Sequence, residues 1–253
     1  MAADPPVVVL LHGWALHGGL LQPLAARLGD ARRTFCPDLP GHGRRPYRPA
    51  FRDLAGLAEA VAADLPPACV LVGWSLGGLV AARLAADNCP AVRRLVLLAT
   101  TPRFVNGDGW QQGLAPGLVA EFAAGLGRDY RGLVRRFLAL QARGDERQGT
   151  LLRQLRASVF ARGEPDPAAL AAGLEVLLGS DLREAVTRIA VPTLVVTGAN
   201  DRLTPPGAGD WLAGQIPGAR LEQIAGAAHA PFLSHPDAVA QAVGGFIAAG
   251  IPA

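Results

Sequence analysis

The 253-residue sequence predicts an α/β protein, with a mostly parallel central sheet flanked by helices. Three observations carry this reading. Four short runs, at 7–11, 69–73, 95–99 and 193–198, are apolar throughout rather than alternating, as strands covered on both faces should be. Helix-like stretches at 20–28, 54–64, 76–87 and 236–249 separate or follow them, and such alternation calls for parallel strands joined by crossover helices. Half of the residues are hydrophobic, enough to bury a substantial core in one domain of this length.

Taken in order, the first run ends at His12-Gly13-Trp14, and the helix-like stretch at 20–28 follows. The loop Pro40-Gly41-His42-Gly43 leads to the stretch at 54–64. The run CVLVG at 69–73 passes through Trp74-Ser75-Leu76-Gly77-Gly78 into the helical LVAARLAAD. After the run at 95–99 the alternation breaks: residues 104–179 hold no convincing strand and read as several amphipathic helices separated by Gly and Pro. There Leu133, Phe137, Leu138 and Leu140 fall on one helical face and Arg131, Arg135 and Arg136 off it. An insertion of this size between two strands is most simply a lid, the other reading being a helical subdomain with no part in the site. The expected organisation is a core of 1–103 and 180–253 with a lid at 104–179. The alternation resumes at 193–198, followed by Ala199-Asn200-Asp201; an apolar segment at 220–225 then precedes His229 and the last helix.

The chain carries 24 basic and 21 acidic side chains, and every basic one is Arg. A formal charge of +3 spread over this length does not predict nucleic-acid binding, which needs a dense basic face with stacking aromatics. Cys36, Cys69 and Cys89 are odd in number in a chain too large to need disulfide staples and are read as reduced and structural, with a thiol nucleophile as the alternative. The apolar run near the N-terminus is too short for a signal-peptide core, and no stretch approaches the roughly 18 apolar residues of a membrane span. A cytoplasmic protein is expected.

The sharpest local signal is Gly73-Trp74-Ser75-Leu76-Gly77-Gly78, placed where a strand ends and a helix begins, the context of a nucleophile elbow. That turn strains its central Ser, so the side chains two before and two after must nearly vanish, and Gly73 and Gly77 meet the need. A Ser hydroxyl attacks only when an imidazole takes its proton. Among His12, His17, His42, His229 and His235, His229 has the right place, after the Ser and after a candidate acid in chain order. His235, beside Pro236, reads as a surface or capping residue, and His12 as a structural hydrogen-bonder. The acid must leave the C-terminal end of a strand between Ser75 and His229, which Asp201 does. Asp181, ahead of a helix-like run, reads as an N-cap; Asp210 is another plain alternative, and Asn-Asp pairs favour turns on their own account. The backbone N–H groups of Leu76 and Trp14 occupy the places where an oxyanion would find donors.

Together the motifs resemble one branch of the α/β-hydrolase superfamily, the pimeloyl-acyl-carrier-protein methyl ester carboxylesterases of biotin synthesis. The matching segments are LLHGW at 10–14, DLPGHGR at 38–44, GWSLGGLVA at 73–81, RFLALQ at 136–141, GLEVL at 173–177, DLR at 181–183 and AAHAPFLSHP at 227–236. The resemblance implies the α/β-hydrolase fold, with a helical lid inserted after the sixth strand; the sequence departs from it in starting almost at the strand that leads to His12-Gly13, so the opening antiparallel strands are expected to be truncated. It implies a triad of Ser75, Asp201 and His229, an oxyanion hole at Trp14 and Leu76, and an acyl channel lined by Trp14, Trp74 and Phe137. It further implies a methyl ester substrate on acyl carrier protein, an acidic partner met by lid arginines, here Arg131, Arg135, Arg136, Arg153 and Arg156, with Arg143 and Arg147 nearby. Exposed Arg at helical spacing is equally what a plain solvated helix face shows. No cofactor and no metal are implied, and a monomer without nucleic-acid or membrane partners is expected. A general short-chain esterase, a lactonase or a carbon–carbon bond hydrolase would suit the same scaffold. A non-catalytic receptor is disfavoured by an intact Ser, His and Asp in the fold's order.

Overall fold

The computed structural model describes residues 7–29 and 33–249. Among these, β1 (Val7–Leu11), β2 (Thr34–Phe35), β3 (Cys69–Trp74), β4 (Val92–Leu98), β5 (Thr193–Gly198) and β6 (Arg220–Ile224) form one sheet. The strand order is β2-β1-β3-β4-β5-β6 and every pairing is parallel. β3 and β5 are buried along their whole length, which explains why they read as unbroken apolar runs. The expected truncation of the opening strands concerns residues before 7, outside those described.

Helices α1 (Gln22–Leu28), α2 (Leu54–Ala62), α3 (Leu76–Ala86), α8 (Pro206–Gln215), α9 (Pro231–Ser234) and α10 (Pro236–Ala248) belong with the sheet. α2 packs on α3 and α1 on α10. Four more helices, α4 (Pro116–Leu126), α5 (Tyr130–Ala142), α6 (Gln148–Ser158) and α7 (Pro167–Gly179), fill the segment between β4 and β5. The insertion thus follows the fourth strand of the described residues, where the sixth was expected. On α5, Leu133, Phe137 and Leu138 are buried, Leu140 is half-buried, and Arg131, Arg135 and Arg136 are exposed, as the amphipathic pattern requires.

Several sequence expectations need correction. β4 starts at Val92, three residues before the apolar run, because Arg94 is buried with its guanidinium on the Phe246 carbonyl and over the Phe246 ring at 5.3 Å. The segment expected to be apolar ahead of His229 is β6, whose first four residues are exposed because it is the edge of the sheet. β2 and α8 went unread, β2 because two residues are too short to show a period. Asp181 caps no helix; its carboxylate pairs with Arg103 at 3.3 Å and Arg183 at 2.7 Å, holding the two ends of the inserted segment together.

The strand order reverses beside β1, whose neighbours β2 and β3 lead in opposite directions. In open parallel sheets the crevice outside the carboxyl ends of strands at such a switch point is where ligands bind. The loops after β1 and β3 meet there.

Candidate active site

Ser75 stands between the end of β3 and the start of α3 with φ 54° and ψ −117°, a strained conformation for a residue with a Cβ. The surroundings hold it there. Its N–H donates to the Leu98 carbonyl at 3.1 Å, and its own carbonyl accepts from Gly78 N at 2.9 Å, Leu79 N at 3.1 Å and Thr100 Oγ1 at 2.8 Å. A Cβ on Gly73 would lie 2.3 Å from the Gly77 carbonyl oxygen, and one on Gly77 would lie 2.6 Å from that of Leu11. Both glycines are required by contact with backbone, which cannot move aside.

Three side chains expected from the sequence converge. His229 Nε2 lies 3.0 Å from Ser75 Oγ, and His229 Nδ1 lies 2.8 Å from Asp201 Oδ2. An ionised carboxylate can only accept, so Nδ1 carries the proton and Nε2 presents its lone pair to the Ser hydroxyl. Asp201 follows β5 and also receives Leu203 N at 2.8 Å and Thr204 N at 3.0 Å on Oδ1, and Thr204 Oγ1 at 2.7 Å on Oδ2. A buried carboxylate with this many donors does not bear the desolvation cost of an unpaired one. Ser75 is 3 % exposed, Asp201 3 % and His229 0 %, so the relay is shut away from bulk water. Such an arrangement can move a proton off the Ser hydroxyl and stabilise the imidazolium that results.

Leu76 is the first residue of α3, and its N–H therefore has no carbonyl partner within the helix. The turn after β1 lies against it: a Cβ on Gly13 would sit 3.2 Å from Ser75 Cβ. Two histidines shape that turn. His12 accepts from Leu39 N at 2.8 Å on Nε2 and donates from Nδ1 to the Gly13 carbonyl at 2.8 Å. His42 Nε2 accepts from Ala15 N at 3.3 Å, holding Ala15 at φ 63°. Burial pushes the His12 imidazole down to about 3, helped by neighbouring His42, and lowers His42 as well. Both are therefore neutral and structural, as read for His12.

Trp14 is buried, donates Nε1 to the Leu170 carbonyl at 2.9 Å and meets the Phe137 ring edge-on at 5.0 Å. Trp74 is buried beside His229, its ring 5.7 Å from that of His229 and its Nε1 donating to the His229 carbonyl at 2.8 Å. His17 donates from Nε2 to the Ser158 carbonyl at 2.7 Å, and His235 hydrogen-bonds Ser234 Oγ at 2.8 Å, so neither joins the relay. His235 holds the N-cap position of α10 but makes no side-chain cap, and Asp210 is exposed on α8. The three cysteines are free, and burial pushes the Cys36 and Cys69 thiols up to about 12, far from the thiolate form a nucleophile needs.

The arginines Arg131, Arg135, Arg136, Arg153 and Arg156 are exposed on α5 and α6. Arg131 is already paired with Glu164 and lies 5.9 Å over the Phe160 ring. Thr100 and Thr204 were not singled out from the sequence; Thr204, three residues after Asp201, follows the spacing of a carboxylate that caps its own turn.

A sequence model of the alpha/beta hydrolase family matches residues 8–242. A pimeloyl-(acyl-carrier protein) methyl ester esterase of Xanthomonas oryzae pv. oryzae is 45% identical over 243 residues, covering 96% of this chain and 95% of its own. The protein of the same name from Stenotrophomonas maltophilia is 43% identical over 248 residues, covering 98% of this chain and 95% of its own. Among solved structures, an esterase from Exiguobacterium antarcticum superposes with TM-score 0.84 at 21% identity, covering 96% of this chain and 91% of that one. A hydrolase from Pseudomonas aeruginosa superposes with TM-score 0.78 at 28% identity, covering 98% and 92%. The chain belongs to the alpha/beta hydrolase family and, within it, to the group of the pimeloyl-(acyl-carrier protein) methyl ester esterases.

Proposed function

We propose that this chain hydrolyses the methyl ester of a pimeloyl group carried on acyl carrier protein, the activity for which its relatives are named, through an acyl-enzyme on Ser75. The observation that carries the reading is the hydrogen-bonded order Asp201, His229, Ser75 at the carboxyl end of the sheet. His229 Nε2 takes the hydroxyl proton as Ser75 Oγ bonds to the ester carbonyl carbon. The oxyanion is held by the N–H groups of Leu76 and Trp14. Collapse breaks the bond to the methoxy oxygen, which leaves as methanol with the proton from His229. Water, giving its proton to His229, then attacks the acyl-enzyme, and the second collapse returns Ser75 and frees the carboxylate. Asp201 orients the imidazole and stabilises its charged form throughout.

In this reading the segment 104–179 is a lid over a core of 1–103 and 180–253, which accounts for the burial of Ser75. Trp14, Trp74 and Phe137 bound the acyl site, and Arg135, Arg136, Arg153 and Arg156, with Arg131 as a weaker contributor because Glu164 holds it, meet the acidic carrier. The enzyme acts as a cytoplasmic monomer.

The test is methanol release from methyl pimeloyl-carrier protein and from free methyl pimelate. Ser75→Ala should lose about 10⁶ in kcat, the scale set by removing a Ser nucleophile. The carrier-bound ester should be strongly preferred. Esterase activity retained by Ser75→Ala would end the mechanism, whereas equal turnover of free short esters would reduce the reading to a general carboxylesterase.

A further inference from the structure

The loop that presents His229 has no regular structure between β6 and α9, so its backbone groups must find partners elsewhere. The turn joining α5 to α6 supplies them. Gln141, in the last turn of α5, has a carbonyl left over by the helix, and it accepts from His229 N at 3.2 Å. Asp145 Oδ2 accepts from Ala228 N at 2.9 Å. Glu146 N donates to the Gly226 carbonyl at 2.9 Å, and Arg147 Nη1 to the Ser234 carbonyl at 2.6 Å. The same turn reaches the acid, since Asn200 Nδ2, one residue before Asp201, donates to the Gly144 carbonyl at 2.9 Å.

Asp145 is the one side chain of this turn that bonds the histidine loop from a buried position. It is a carboxylate that the ester chemistry does not use. Oδ1 accepts from Arg147 N at 2.8 Å, shaping its own turn, while Oδ2 accepts from the residue next to His229. Two N–H donors on one buried side chain call for an acceptor at each oxygen, which a carboxylate offers and a carboxamide does not.

We infer that Asp145 is a positioning residue that sets the height of His229 over Ser75 by holding Ala228. This rests on the reading of His229 as the base. Nε2 and Oγ are 3.0 Å apart, a hydrogen bond that a shift of about 1 Å would break, and displacement of a reacting group by about 1 Å can cost on the order of 10² in rate.

The test compares Asp145→Ala, Asp145→Ser and Asp145→Asn in the full chain. The readouts are kcat and KM on free methyl pimelate, the rate of Ser75 labelling by a small fluorophosphonate, and thermal unfolding. Asp145→Ala should lower kcat by about 10–100-fold with KM within about twofold, and labelling should slow by the same factor. Asp145→Ser keeps a hydroxyl acceptor for the Arg147 N–H but cannot span to Ala228, and so carries the same expectation if the Ala variant does not fold. Asp145→Asn, whose one amide oxygen can accept from Ala228 N but not also from Arg147 N, should recover part of the rate. Wild-type kcat in a folded Ala or Ser variant, or a loss confined to KM, would overturn the assignment. Failure of the underlying reading looks different: His229→Ala would then keep its activity whatever Asp145 does.

Discussion

Ser75 holds its left-handed backbone because every neighbour leaves no alternative: Gly73 and Gly77 are packed against backbone oxygens, and Thr100 closes on the Ser75 carbonyl. This part of the site was legible in the spacing of the glycines. The acceptors on His12 and His42 were less so, since a histidine in a Gly-rich loop does not announce its tautomer. Their neutrality has a measurable consequence. With His12 at about 3 in the folded protein and near 6.5 when unfolded, the unfolded chain binds the extra proton between those values. The stability tied to a neutral His12 is therefore complete above pH 6.5 and is lost as pH falls toward 3. It should drop as pH falls through that window, by on the order of 1 kcal/mol for each pH unit. Urea unfolding at pH 7, 6, 5 and 4 should show His12→Asn less stable at pH 7 but with a slope shallower by up to that amount. Parallel slopes would mean that His12 is protonated in the folded state.

At the scale of elements, the buried strands and the helices after them were readable because burial on both faces leaves an unbroken apolar run. β6 was misread and β2 missed, because an edge strand and a two-residue strand lack that signature. Helix α7 shows how an element acts on the site. Gly173, inside it, faces the turn after β1, where an added Cβ would lie 2.8 Å from Trp14 Cδ1 and 3.5 Å from Leu76 Cδ2. Alanine there gains about 1 kcal/mol of helix propensity and meets an overpacking cost of about 1–3 kcal/mol. Gly173→Ala should therefore change the unfolding midpoint only modestly. Its kcat on a free ester should fall by about tenfold, a fraction of what losing an oxyanion donor costs, as the Trp14 turn is pushed off its place. An unchanged kcat would show that α7 and the turn can separate without cost to the reaction.

At the scale of the molecule, the sheet brings the β1 and β3 loops together at its switch point, and α5 and α7 pack on the turn after β1 through Phe137, Leu170 and Gly173 against Trp14. Among the described residues no helix is long and apolar enough to cross a membrane. The proposed lid is not free on all sides, since residues 141–147 are bonded to the loops of His229 and Asp201; an opening that keeps the relay intact must hinge elsewhere. Its exposed arginines on α5 and α6 give the docking proposal an ionic signature. Raising salt from about 0.05 to 0.5 M shortens the screening length several-fold. Turnover of the carrier-bound ester, as kcat/KM, should fall by about tenfold, while that of free methyl pimelate should change by less than about twofold. Equal sensitivity of the two substrates would remove the arginines from the reading.

Sequence alone determined the fold class, and it singled out Ser75, His229 and Asp201, which the structure brings into hydrogen-bond reach, and the turn that carries Trp14. Each of these depends on local pattern: apolar runs that end at turns, glycines at fixed offsets, and polar residues just past strand ends. What only the tertiary structure decided are contacts between segments far apart in the chain. These include Asp145 on Ala228, Gly173 against Trp14, Trp74 beside His229, and Asp181 clamping the ends of the inserted helices instead of capping one. An acidic residue in a polar turn and a glycine in a helix carry no mark of their distant partners, because those partners are set by how the helices lie over the sheet.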